Sequence, residues 1–338
     1  MEKPKKDTAL KVFAAALDRS STSRTAIAND TGLSYVTVDK AVNFLIEQNI
    51  LKQSYSSKSA VIERRSRMLS AKSHYWIAVY EILPTKFTFY MTDLSLRIFR
   101  SFSHTPEDSI FIDDLLTDFL KSTVSFAKKH AKDTNCIGSA VLTIGNYDNT
   151  TDKITGSPIY HLPSIKIRDF FSRYSFDTIP FVYSLHSTFG KAIQGTLSDD
   201  EAVYSLFLDK SGILSSYLLP EGPVHINDIG CIKSSSNVSL SSIAKRLPDP
   251  DLLFNDLCDA LCVLLKSLKI TRITVCDSLY NNANAVCSVI SNTLNKNRGD
   301  SMPNINIVPA DISENTVKYI SREIRYRWFC EKILTDKA

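Results

Sequence analysis

The chain has 338 residues, 43% of them hydrophobic and 22% charged, which is enough apolar material for two or three packed domains and excludes a disordered or fibrous class. No run approaches the ~18 apolar residues of a membrane span, and the apolar run Val12–Leu17 behind Lys3, Lys5 and Lys6 falls short of the ~7–15 residues of a secretory core. Seven cysteines, an odd number without a Cys-x-x-Cys pair, argue against a disulfide framework and fit a soluble protein of the reducing cytoplasm.

The net charge of +4 is unevenly placed: residues 1–70 hold 12 Lys and Arg against 7 Asp and Glu, whereas residues 71–338 hold 28 against 29. A basic segment on a neutral body is the footprint of a nucleic-acid-binding module, or at its plainest a solubilising end. Glycine is scarce, with 10 residues in the chain against an average of ~7%. Glycine-rich loops that cradle phosphates are correspondingly few.

Taken in chain order, the first elements are three short helices. Residues 7–19 place Leu10, Phe13, Ala14 and Leu17 on one face. After the polar cluster Ser20 to Ser23, a second helix over 24–31 turns Ile27 and Ala28 inward and ends at Gly32, which suits the left-handed turn between two helices. Ser34 caps a third helix over 34–48, with Val38, Ala41, Val42 and Leu45 as its inner stripe. Ala28, Gly32, Leu33 and Val38 fall where a helix-turn-helix needs a small residue, a turn residue and two core contacts. Such a motif lays the front of its second helix in the major groove. The outward residues there are Ser34, Tyr35, Thr37, Lys40 and Asn43, whose hydroxyls, amide and ammonium suit base edges and phosphates.

Residues 50–53 and Ala60-Val61-Ile62 are expected to form two strands around a serine-rich tip carrying Lys58. This wing is followed by Arg64, Arg65 and Arg67, assigned to phosphate contacts. Residues 1–70 thus read as a winged helix-turn-helix that binds double-stranded DNA. The competing reading is a helical module for protein contacts, or a cap on the body.

The body alternates strands and helices. Tyr75–Tyr80, Lys86–Thr92 and Leu96–Phe102 are expected as an antiparallel meander, followed by a long amphipathic helix Ile110–His130 and a buried strand Cys136–Ile144. A short helix at Ile167–Tyr174 and a short strand at Phe181–Tyr183 follow. Strands Val203–Leu208 and Ile213–Leu219, a helix over 251–269, a strand Ile270–Cys276, a helix over 283–297, a strand Ile305–Pro309 and a last helix over 313–334 repeat the order. The pattern predicts two related α/β lobes with a cleft between them. The first lobe is 71–190, joined by the C-terminal helix at 311–338, and the second is 191–310.

A winged helix ahead of such a body resembles the ROK family of repressors and sugar kinases. It is similar to the regulator branch, whose members respond to sugars such as N-acetylglucosamine and xylose. The resemblance implies an actin-like, ribonuclease-H-like ATPase-type body. Several family motifs are altered here. The Asp-x-Gly phosphate loop of the opening hairpin corresponds to Tyr80-Glu81-Ile82, and the sugar-binding Asn-Asp pair to Ser184-Leu185. Leucine has no titratable group and cannot serve as general base. The second phosphate loop corresponds to Asp209-Lys210-Ser211-Gly212-Ile213. The Gly-Glu-Ile-Gly-His motif corresponds to Asn227-Asp228-Ile229-Gly230-Cys231, without the cysteine-rich zinc loop after it. A zinc site of that kind needs about four ligands, so Cys231 reads as a core residue.

The resemblance therefore implies a homodimeric DNA-binding regulator, in the sense of a repressor, without kinase activity, cofactor or structural metal. Its body senses a sugar-like effector or only dimerises. Ser184, His186 and Asp228 are the candidate ligand contacts, with a satisfied surface histidine as the alternative for His186. The competing functions are a sugar kinase with a fused DNA-binding domain and a ligand-independent dimeric DNA-binding protein.

Overall fold

The computed structural model describes residues 4–333 except 20, 56–66, 84–85, 106–111, 156–161, 175, 195–201, 210–211, 220–221, 225–256, 260, 263–264, 266–269, 278–281, 298–304 and 310–311. The chain opens with helix α1 (Lys6–Leu17), strand β1 (Thr22–Ser23) and helices α2 (Arg24–Thr31) and α3 (Tyr35–Glu47). Strands β2 (Leu51–Tyr55) and β3 (Arg67–Ala71) follow and form, with β1, an antiparallel sheet of order β1-β3-β2.

Two details of this module differ from the sequence expectation. The partner of β2 is Arg67–Ala71, in the register Leu51↔Ala71 to Tyr55↔Arg67, whereas the expected strand at 60–62 lies outside the described residues. Only this pairing turns Leu69 inward, where it is fully buried with Leu51 in the module's core, and it places Arg67 in the strand. On α1 the buried residues are Ala9, Val12, Phe13, Ala16 and Leu17, whereas Ala14 is exposed. Phe13, inward in both sets, stacks on Phe329 at the far end of the chain, with ring centroids 4.0 Å apart.

The body contains two five-stranded sheets with the same plan. In the first, β4 (Tyr75–Leu83), β5 (Lys86–Asp93) and β6 (Ile98–His104) form the expected meander. After helix α4 (Ile112–His130), strand β7 (Asn135–Thr143) joins parallel to β4. A small hairpin follows, β8 (Asn146–Asp148) with β9 (Lys153–Thr155), then helix α5 (Ile167–Ser172). Strand β10 (Phe181–Ser184) pairs parallel to β7 and completes the order β10-β7-β4-β5-β6. The chain then enters helix α6 (Leu185–Gln194), a helix that the strand-rich pattern around Tyr183 conceals.

The second sheet runs through β11 (Val203–Asp209), β12 (Gly212–Leu219) and β13 (Gly222–Val224), then β14 (Arg272–Asp277), helix α7 (Ala283–Asn297) and β15 (Asn306–Pro309). Its order, β13-β12-β11-β14-β15, repeats the first: three antiparallel strands flanked by two parallel ones. Helical residues at 257–259, 261, 262 and 265 supply Leu257, Cys258, Leu261, Cys262 and Leu265 to its core. Helix α8 (Ile312–Trp328) closes the chain, and its end widens into a π-helical turn, Phe329–Ile333.

β4 is buried on both faces, as a central strand covered by helices must be. One face packs Tyr80, Phe89 and Ile82 against Leu116, Phe119 and Leu120 of α4. The other packs Ile77 and Val79 under Leu185 and Phe189 of α6 and Val317, Ile320 and Ile324 of α8. Val203 and Cys276 of the second sheet share that cluster, so α6 and α8 lie where the two lobes meet. Gly138 on β7 makes the approach of α8 possible: a Cβ there would come within 2.5 Å of Ile324 Cγ2. Among the described residues, no helix is long and apolar enough to cross a membrane.

Candidate nucleic-acid interface

The turn between α2 and α3 is built from its own residues. The Ser23 hydroxyl caps α2 by accepting from the Ala26 N–H at 3.2 Å. Gly32, at φ +68°, takes the left-handed conformation that ends α2. The Ser34 hydroxyl caps α3 by accepting from the Thr37 N–H at 3.2 Å, and it also lies 2.8 Å from the Thr37 hydroxyl. Val38, Ala41, Val42 and Leu45 form the inner stripe of α3, all fully buried.

The opposite side of α3 faces outward. Ser34, Tyr35 and Lys40 are exposed, and Thr37 and Asn43 are half-buried. Val36 stands out among them: it is 66% exposed, beside Tyr35 at 55%.

Asn43 has a second occupation. The buried guanidinium of Arg24 donates to Asp39 Oδ1 at 2.6 Å, to Gln53 Oε1 at 2.7 Å and to Asn43 Oδ1 at 2.9 Å. Asn43 Nδ2 donates in turn to Asp39 Oδ2 at 3.2 Å. One arginine thus ties α2, α3 and β2 together, and with Asp39 it engages both ends of the Asn43 amide. Sequence reasoning placed Asn43 among base-reading groups and passed over Arg24. Its three partners come from two other elements, so no local spacing signals the network. Val36 was legible, since it lies two positions before Val38 and off the inner stripe. Lys58, Arg64 and Arg65 lie outside the described residues, as does the side chain of Arg67.

The module is held to the body by the end of α8. Arg325, almost fully buried, donates to Asp18 Oδ1 at 2.9 Å and to the Leu94 carbonyl at 2.7 Å, and its guanidinium lies 5.5 Å from the centre of the Phe13 ring. Burial lowers the pKa of this arginine, and the Asp18 carboxylate opposes that shift. Tyr75 packs on Trp328, and Lys72 Nζ donates to Asn49 Oδ1 at 2.6 Å.

In the body, Ser184 is the one ligand candidate whose side chain is among the described residues. Ser184 ends β10 half-buried, and its carbonyl accepts from the Thr188 hydroxyl at 2.6 Å. His186 lies in the first turn of α6, with its side chain outside the described residues, as is all of Asp228. Leu185 is fully buried among Phe189, Val317 and Ile320 and is a core residue.

Glu81 is 2% exposed and accepts from the Tyr90 hydroxyl at 3.0 Å and from the Ser313 hydroxyl at 2.6 Å. Burial, reinforced by this carboxylate, pushes the Tyr90 pKa up. The acid thus stands against the first turn of α8, where a helix favours negative charge.

No protein-family model matches the sequence, and no curated protein matches it at a significant level. Solved structures do match. A ROK family transcriptional regulator described as a homologue of the E. coli MLC protein superposes with a TM-score of 0.63 at 12% identity, covering 96% of this chain and 98% of that one. The inorganic polyphosphate/ATP-glucomannokinase of Arthrobacter sp. strain KM superposes at 0.56 and 13% identity, covering 75% of this chain and 99% of that one. A ROK family glucokinase from Streptomyces griseus, in complex with glucose and AMPPNP, superposes at 0.50 and 12% identity, covering 74% and 98%. Two lobes of repeated plan behind an N-terminal three-helix module therefore give this chain the fold of the ROK proteins, matched over nearly its full length by a regulator.

Proposed function

We propose that the chain is a divergent ROK-type transcriptional regulator that binds operator DNA through an N-terminal winged helix-turn-helix. The observation that carries the reading is the solvent-facing front of α3. Ser34, Tyr35, Val36, Thr37 and Lys40 stand clear of a core formed by the helix's other side, next to a β2–β3 hairpin in the position of a wing. The concentration of basic residues in 1–70 supplies the charge for phosphate contacts. The kinase neighbours are covered almost completely by only about three quarters of this chain, which is what a body with an additional N-terminal module leaves.

The body acts as a dimerisation and effector-sensing module without phosphoryl transfer. Leu185 fills with hydrocarbon the position where the resemblance calls for a catalytic aspartate. Glu81 sets a buried carboxylate where the first phosphate loop is expected, and its charge opposes a phosphate. The glucose-bound neighbour supports a sugar or sugar phosphate as the effector class, with Ser184, His186 and Asp228 as contacts.

Fluorescence anisotropy with a random-sequence duplex tests the DNA reading. The full chain is expected to bind at low salt with a steep salt dependence, and Lys40→Ala and Arg64→Ala/Arg65→Ala are expected to flatten the slope by about one unit per phosphate contact removed. Absence of duplex binding at low salt overturns the reading. Turnover of ATP on a sugar panel overturns the assignment of the body.

A further inference from the structure

We infer that the module reads its operator chiefly through thymine C5-methyl groups, with Val36 as the specificity-determining contact. This deepens the DNA-binding reading above and rests on it.

Bidentate readout in the major groove uses Arg or Lys on guanine, Asn or Gln on adenine, and acids on cytosine. On the described part of this module, the groups that could do so near α3 are Arg24, Asp39, Asn43, Gln53 and Lys40. The first four bond to one another: Arg24 donates to Asp39, Gln53 and Asn43, and Asn43 donates to Asp39. Arg24 is itself 7% exposed. Turning any of these amides or acids toward a base would strand a buried guanidinium, so the network withholds them from the groove. The Ser34 and Thr37 hydroxyls are engaged in capping α3.

What the leading turn offers instead is mostly hydrocarbon, the Val36 side chain beside the Tyr35 ring with its single hydroxyl. Val36 is 66% exposed in the second position of α3, and Tyr35 is 55% exposed in the first. These positions of a recognition helix reach base edges. The exposed β-branched side chain there has no role in the core, whose stripe begins at Val38. The one apolar group on a base edge in the major groove is the thymine methyl. Lys40, one turn further and exposed, supplies an ammonium on the same outward side for the phosphate backbone. Apolar contact backed by positive charge matches thymine-bearing duplex DNA, and it fits poorly to an apolar protein groove.

The test uses the full-length chain and duplexes enriched from a random-sequence pool. In the best-bound duplex each dT is replaced singly by deoxyuridine, which removes only the C5-methyl. At one or two positions in each half-site the replacement is expected to weaken binding about fourfold, the worth of one buried methyl. Val36→Ala is expected to bring the dT/dU affinity ratio at one of those positions close to one, with an unchanged melting temperature because Val36 is exposed. Val36→Thr, which keeps one methyl, is expected to retain part of the ratio. An enriched duplex with no dT-sensitive position overturns the inference while leaving the DNA-binding reading in place, and so does a ratio that Val36→Ala leaves unchanged. Failure of the full chain to enrich any duplex overturns both.

Discussion

Arg325 and Asp18 form an ion pair of 2.9 Å although they are separated by 307 residues, joining the last helix of the chain to the end of the first. Arg325 also donates to the Leu94 carbonyl, so one guanidinium holds the N-terminal module, the β5–β6 turn and α8 in one arrangement. Asp18 is half-exposed and Arg325 is not, which sets the asymmetry of the pair. Asp18→Ala leaves a buried cation with one neutral acceptor and is expected to cost about 1–3 kcal/mol. Arg325→Met removes the cation and keeps some of the packing on Phe13, and it is expected to cost a similar amount through lost hydrogen bonds. Urea unfolding followed by tryptophan fluorescence reports both, since Trp328 lies at the same junction. No shift in the midpoint for either variant would contradict the role of the pair.

The Arg24 network predicts a division between stability and recognition. Arg24→Met leaves Asp39, Asn43 and Gln53 without their shared donor and is expected to destabilise the module by about 1–3 kcal/mol. Asn43→Ala is expected to cost about 1 kcal/mol and to leave base preference unaltered. Circular dichroism melts and a base-substitution scan of a bound duplex check the two halves. A change in preferred base with Asn43→Ala would show that the amide leaves the network to read DNA.

Gly138→Ala is expected to destabilise the body by about 1–3 kcal/mol, because the added methyl meets the stiff, buried Ile324 side chain on α8. Ile324→Ala creates a space at the same point, so the double variant is expected to be more stable than the sum of the single effects. Additivity within about 0.5 kcal/mol would place the strain elsewhere.

Stability is expected to fall in alkali. Burial pushes the Cys258 thiol from 9.0 to about 12, and the Cys136 thiol likewise to about 12. The native state then keeps protons that the unfolded chain releases. The stabilisation is complete below pH 9 and is lost as pH rises from about 9 toward 12, at up to about 1.4 kcal/mol per pH unit for a fully buried thiol. Both thiols are shifted alike, so Cys258→Ala and Cys136→Ala are each expected to flatten the dependence. Urea midpoints at pH 8, 9 and 10 measure it, and a flat profile in the wild type would refute the assignment.

The sequence alone determined the elements whose signals are local. Gly32, Ser34 and the stripe Val38, Ala41, Val42 and Leu45 specify the turn and the third helix, because a left-handed glycine, a cap and a 3.6-residue period are properties of adjacent residues. The first meander and the strand pair β11–β12 of the second half were legible for the same reason, whereas the short β13 was not. Helix α6 was not, because Leu185 and Phe189 are apolar for the sake of α8, a partner more than a hundred residues away. The pairing of β2 with β3, which buries Leu69, and the stacking of Phe13 of α1 on Phe329 join residues far apart in the chain. The engagement of Asn43 by Arg24 and the closure of Asp18 on Arg325 likewise exist only in three dimensions. Each depends on which distant groups reach one side chain first, and that competition is settled by packing and hydrogen-bond geometry, to which spacing along the chain gives no access.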